Sequence, residues 1–172
     1  TQQDRLSEAD EQYQKAHSLD SEHPAPWFGL GVMHKRQGSY KKAENCFRKS
    51  SKFTPNRLNS LNNIGTTLIA LGDVEQAKRC FREILDTDPN HFEAIANMAW
   101  AYGMAGNFDD ALRELDILLK DRPDPSIIFQ ALLFSQKICD WNAVKTYREK
   151  LDKATQASLA RGDCPVETPF AA

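Results

Sequence analysis

The feature that most narrows what this chain can fold into is a period. Pro55, Pro89 and Pro123 stand 34 residues apart, and so do Gly38, Gly72 and Gly106. Ala9, Ala43, Ala77 and Ala111 keep the same spacing, each followed four residues later by Tyr13, Phe47, Phe81 or Leu115. Four independent residue classes sharing one period mark a repeat architecture, in which each unit needs stacked neighbours to bury its apolar face.

The residue types say what the unit is. The first full copy reads Trp27-x2-Leu30-Gly31-x2-His34, Ala43-x3-Phe47, Pro55. The second reads Leu61-x2-Ile64-Gly65-x2-Leu68, Ala77-x3-Phe81, Pro89, and the third Ile95-x2-Met98-Ala99-x2-Tyr102, Ala111-x3-Leu115, Pro123. The small residue of each first segment (Gly31, Gly65, Ala99) and the alanine of each second one permit close approach, with large neighbours filling the space around the contact. Gly38, Gly72 and Gly106 fall where a helix ends and the chain takes positive φ at little cost. The prolines close each second helix, because proline lacks an N–H and disfavours helix in the residue before it.

This pattern resembles the tetratricopeptide repeat family, with His34 in place of an aromatic residue and Ala99 in place of glycine as its departures. The resemblance implies an all-α fold, a right-handed superhelical solenoid of antiparallel helix pairs. Helices are expected over 24–37 and 41–53, 58–71 and 74–87, and 92–105 and 108–120. Residues Leu6 to Leu19 read as the second helix of a pair whose first is missing, which suggests a piece of a longer protein. After Pro123 the pattern decays: Ile127 to Ile138 reads as a first helix and Trp141 to about Leu159 as a longer second one. The array is thus expected over 1–161, with a partial repeat at 5–23, full repeats at 24–57, 58–91 and 92–125, and degenerate or capping helices at 126–161. Residues 162–172, with Pro165 and Pro169, read as an extended tail.

Composition narrows the function. A net charge of −2 and a pI near 6.1 argue against a general nucleic-acid binder, which needs a basic footprint. No apolar run reaches the roughly 20 residues of a membrane span. No HExxH, phosphate loop or GxSxG elbow is present, so neither catalysis nor a metal or other cofactor is expected. The four histidines do not group, and Asp109-Asp110 start a helix, where carboxylates favour the positive end of the helix dipole. Cys46, Cys80, Cys139 and Cys164 form no CxxC pair. Cys46 and Cys80 read as small buried residues on neighbouring repeats, about 10 Å apart and too far for a disulfide. Reduced thiols suit a cytoplasmic or nuclear setting.

What remains is a protein or peptide partner. In the resembled fold the first helix of each pair lines a concave groove. Its slots here hold Phe28, Val32, Lys35 and Arg36, then Asn59, Asn62, Asn63, Thr66 and Ile69. Glu93, Asn97, Trp100 and Met104 follow, then Ile127, Gln130, Phe134 and Lys137. An exposed Trp100 among polar neighbours would be a binding hot spot; a tryptophan on a helix also serves as packing. Asn63 and Asn97 recur on one face, and a primary amide can donate to and accept from a peptide bond at once. The pair resembles the asparagine ladder of the O-linked N-acetylglucosamine transferase repeat domain, although asparagine is common on polar helix faces. The Lys/Asn clamp of chaperone-binding relatives matches poorly, its slots holding Phe28, Val32, Asn62, Thr66, Ala96 and Trp100. Cys139-Asp140-Trp141 and Gly162 to Phe170 resemble the join to a catalytic domain in bacterial relatives of that transferase. This gives a second reading, the substrate-recruiting arm of a glycosyltransferase. A third is homo-oligomerisation through the open repeat ends.

Overall fold

The computed structural model describes residues 24–53, 56–121 and 124–160; the helix expected at Leu6 to Leu19 and the tail at 162–172 lie outside them. The described residues form helices α1 (Pro24–Arg36), α2 (Tyr40–Ser50), α3 (Arg57–Ala70), α4 (Val74–Thr87), α5 (Phe92–Met104), α6 (Phe108–Asp121), α7 (Pro125–Lys137) and α8 (Trp141–Ala160). Among them there is no strand. Every expected helix limit that falls on the described residues lies within about one helical turn of the observed one. The result is an all-α fold of antiparallel helix pairs repeated along the chain.

The chain divides into two compact units between Ala94 and Ile95, inside α5. In the first unit α1 packs on α2, α2 on α3, and α3 on α4. Its core holds Leu30, Phe47, Ile64, Leu68, Phe81 and Ile84, all buried. The small-residue slots work as close contacts. A Cβ on Gly31 would sit 2.6 Å from the Phe47 ring, and one on Gly65 would sit 2.4 Å from the Phe81 ring. Both distances are below any real carbon contact, so these glycines are what allow the phenylalanines to seat. Cys46 is buried and Cys80 partly buried, and neither forms a disulfide.

In the second unit α6 packs on α7 and α7 on α8. Ala99 fills the small slot with no exposed surface, and the smaller Leu115 stands where Phe47 and Phe81 stand in earlier pairs. Tyr147 of α8 is buried and its hydroxyl donates to Asp116 Oδ1 of α6 at 2.8 Å. Burial and then this bond to a carboxylate push the phenol pKa well above its usual range.

The turns within pairs repeat one hydrogen-bond scheme. Gly38 N–H donates to Lys35 C=O and Ser39 N–H to His34 C=O; Gly72 and Asp73, then Gly106 and Asn107, do the same one and two periods later. This is the Schellman ending, which needs a left-handed residue, and the three glycines have φ of 72°, 85° and 79°. The fourth turn keeps the scheme without the glycine. Cys139 N–H donates to Gln136 C=O, Asp140 N–H to Ser135 C=O, and Cys139 holds φ 57°.

Cys139 follows Gly106 by 33 residues, not 34. The same count carries Asn107 to Asp140, Ala111 to the buried Val144, and Ile95 to the fully buried Ile128. The fourth pair is therefore a repeat shortened by one residue. That is why its pattern looks eroded when it is read at 34.

Candidate functional site

The first helices of the pairs carry the candidate binding residues, and each unit presents its own set. Neither α1 nor α3 contains an acidic residue, whereas α1 ends in His34, Lys35 and Arg36. Cations in a last turn are favoured by the negative end of the helix dipole. Arg36 is exposed. The partly buried Lys35 reaches from α1 to α3, where Nζ donates to Thr66 Oγ1 at 2.6 Å and to Asn63 Oδ1 at 3.3 Å. Both acceptors are neutral, and among the described residues no carboxylate pairs with Lys35. Burial holds its ammonium below the usual lysine range.

Asn63 is bound into its own helix as well. Its Nδ2 donates to Asn59 C=O at 3.0 Å, and its C=O accepts from Thr66 Oγ1 at 3.1 Å and Thr67 Oγ1 at 2.6 Å. A rung that both donated to and accepted from a peptide would have to share Oδ1 with Lys35. The sequence offered no sign of this, because a neighbour 28 residues away is set by how the pairs stack. Phe28 is partly buried and stands edge-on to Phe47, with centroids 5.6 Å apart, so it belongs largely to the packing of the first pair. Val32 and Asn62 are partly buried and Asn59 is exposed.

The second unit offers a different chemistry. Trp100 is 45% exposed and Met104, one turn further along α5, is 55% exposed. Asn97 on the same helix is partly buried. Phe134 of α7 supports the tryptophan from beneath: it is buried and lies 6.5 Å from the Trp100 ring and 5.6 Å from the Phe108 ring. A Cβ on Gly103 would meet it at 2.3 Å, so the glycine makes room for this ring. Counting 34 from Trp100 puts Phe134 on the open face; the shortened repeat puts it in the slot of the fully buried Ala101. Ile127 is displaced in the same way, into the slot of Ala94, and is also buried. The residue in the Trp100 slot is Leu133, 37% exposed, which reading at 34 passes over. The Asp after Cys139, matching Asn107 after Gly106, was the available signal.

Other chemistry is sparse. Among the described residues no group of three or more His, Cys, Asp or Glu could hold a metal ion, and no helix is long and apolar enough to cross a membrane. Cys139-Asp140-Trp141 is the fourth Schellman turn followed by the start of α8, with Asp140 Oδ1 accepting from the N–H groups of Asn142 and Ala143 at 3.1 and 3.0 Å. Ordinary helix capping accounts for these three residues. The remaining residues of the resemblance to a transferase join, Gly162 to Phe170, lie outside the described residues.

Comparison with known proteins agrees with the fold. Models of the tetratricopeptide repeat match residues 25–57 and 68–133. A search of curated proteins finds no match. Among solved structures, a double mutant of MamA from strain RS-1 superposes with a TM-score of 0.80 at 14% identity, covering 91% of this chain and 89% of that one. A tetratricopeptide repeat protein from Parabacteroides merdae gives 0.74 at 20% identity, over 94% and 68%. Pseudomonas aeruginosa pilF gives 0.69 at 21% identity, over 87% and 69%. At such identities the likeness speaks to fold, and the sequence models speak to kinship: the chain belongs to the tetratricopeptide repeat family.

Proposed function

We propose that this chain is a protein-interaction module that binds partner segments on the open faces of its first helices, in the setting of a reducing, cytoplasmic compartment. The observation that carries the reading is Trp100. A tryptophan nearly half exposed, with Met104 one turn away and Phe134 holding it from below, keeps a large apolar surface in water. Hydrating it is unfavourable by about 25 cal/mol per Å² of apolar area, and covering it with a partner recovers that. Rigid aromatic side chains backed by packed neighbours are the common anchors of protein interfaces. Methionine beside it adapts to varied apolar partners.

The test is a peptide-display selection on the immobilised chain, followed by titration of the selected peptides. Trp100→Ala together with Met104→Ala should weaken the selected peptides by tenfold or more, about 1.4 kcal/mol, with helicity by circular dichroism unchanged. Undiminished affinity in the double variant would remove this face as the site.

A further inference from the structure

We propose that the outward face of α2 is a cationic surface that holds this chain against an anionic lipid bilayer. The inference concerns a second helix of a pair and goes beyond the partner-binding faces of the first helices.

Register points to it. Lys41, Asn45, Arg48 and Lys52 follow one another at steps of four, three and four residues, which sets them in one row along a helix. All four are exposed, and the opposite side of α2 is buried through Ala43, Cys46, Phe47 and Ser50. Lys52 lies just past the end of α2, where the chain continues in helical turns: Ser51 N–H donates to Phe47 C=O and Lys52 N–H to Lys49 C=O. One period later the same row is Glu75, Arg79, Arg82 and Asp86 on α4, all exposed. A further period on it is Asp109, Arg113, Asp116 and Lys120 on α6, again exposed. Each of those two rows balances two acids with two bases. The α2 row has three bases and no acid.

The surroundings add to the charge. Lys42 and Lys49 border the row, where α4 has Gln76 and Glu83. Arg48 pairs with Glu44, the one acid of α2, at 2.8 Å. Lys49 lies 3.8 Å over the Trp27 ring, a contact that leaves its charge intact. An anionic leaflet attracts clusters of this size, each cation near its surface raising partition by about fivefold. The net charge of −2 does not oppose this, because charges further from the bilayer than the screening length, about 8 Å at physiological salt, count little.

The character of the face favours lipid over other anions. The exposed side chains of α2 are Lys41, Lys42, Asn45 and Arg48. Among them is no apolar anchor for the centre of a protein interface and no ring on which a base could stack. Lysine is a mobile, strongly hydrated point charge, suited to headgroups that hold no fixed positions. The apolar side of α2 is already in the core, so the contact is electrostatic adsorption without insertion.

The experiment is co-sedimentation of the full chain with vesicles of phosphatidylcholine alone and of phosphatidylcholine with about 30% phosphatidylserine, in about 0.15 M salt. The chain should pellet with the anionic vesicles and not with the neutral ones. Pelleting should vanish at about 1 M salt, where the screening length is about 3 Å. Lys41→Gln, Lys42→Gln and Lys52→Gln together should lower the partition coefficient by roughly tenfold or more. Asn45→Lys, which completes the row, should raise it by about fivefold, an effect that misfolding cannot mimic. Replacing Lys120, Lys145 and Lys153, exposed lysines of the second unit, with glutamine removes the same charge and should change little. Equal pelleting with neutral vesicles, equal loss in the two triple variants, or no gain in Asn45→Lys would each overturn the proposal. So would hexaglutamate or a single-stranded oligonucleotide that binds the wild type but not the α2 triple variant while anionic vesicles fail to pellet either; the face would then belong to that polymer.

Discussion

Single residues fix the close contacts on which the pairs depend. Gly65→Leu must place a side chain where the Phe81 ring already lies within 2.4 Å of an ideal Cβ, in a core with no room to yield. Overpacking of this kind costs about 1–3 kcal/mol, and here the upper end or more is expected in a thermal or denaturant melt. This contact was legible from the sequence, because a glycine and a phenylalanine recur together at a fixed period. The opposite sign is expected at Cys139. Its φ of 57° places a side chain in the left-handed region, at a cost of about 1–2 kcal/mol for a residue other than glycine. Cys139→Gly should therefore raise stability by about 1 kcal/mol, less a few tenths for the added freedom of the unfolded chain. Glu114 is a third case: burial first, and the nearby Asp110 second, raise its carboxyl pKa. A folded pKa above the unfolded one means the folded state prefers the proton, so stability falls as pH rises through the usual glutamate range near 4.3. Glu114→Gln should flatten that fall, and melts taken from pH 3 to pH 7 would show the two curves diverging.

At the scale of elements, helix ends and cross-helix bonds decide which parts of the pattern could be read in advance. The helix limits were legible because Gly38, Gly72 and Gly106 terminate helices and Asp73 starts one, its side chain accepting from Gln76 N–H at 3.1 Å. The one-residue shortening of the fourth pair was not, since a missing residue between α6 and α7 leaves each helix locally normal while moving every later slot. Phe134 illustrates the result: at 34 it falls on the open face, at 33 in the core. The bond from Lys35 to Asn63 was hidden for another reason, because it depends on side-chain rotamers across two helices. In the fourth pair, Tyr147→Phe removes the hydroxyl that joins α8 to α6 and leaves Asp116 without that donor. A loss of about 1 kcal/mol is expected. In the wild type the raised phenol pKa means stability is held below about pH 10 and lost above it, where the unfolded chain ionises first. The variant should lack that alkaline arm.

Within each unit the most extensive packing among the described residues is between helices adjacent in sequence, such as α1 with α2 and α2 with α3, or α6 with α7 and α7 with α8, while single side chains reach one helix further, as from α1 to α3 and from α8 to α6. Stability in such a chain is close to a sum of local terms. Damage should then stay near its source: Gly65→Leu is expected to speed amide hydrogen exchange in α3 and α4 well before α7 and α8. Uniform acceleration along the chain would show a more cooperative fold than neighbour contacts imply. The same locality lets the two units differ in surface chemistry, cationic and polar on α1 and α3, aromatic and thioether-bearing on α5.

The glycine-free turn has one further consequence, for reactivity. Cys139 is exposed, while Cys46 is buried and Cys80 is partly buried with its thiol pKa raised, chiefly by desolvation. Among the described cysteines, an electrophile or peroxide therefore meets Cys139 first. Alkylating it would add bulk to a residue already held in a strained conformation. The turn that keeps its shape without a glycine thus also holds the most accessible thiol among the described cysteines.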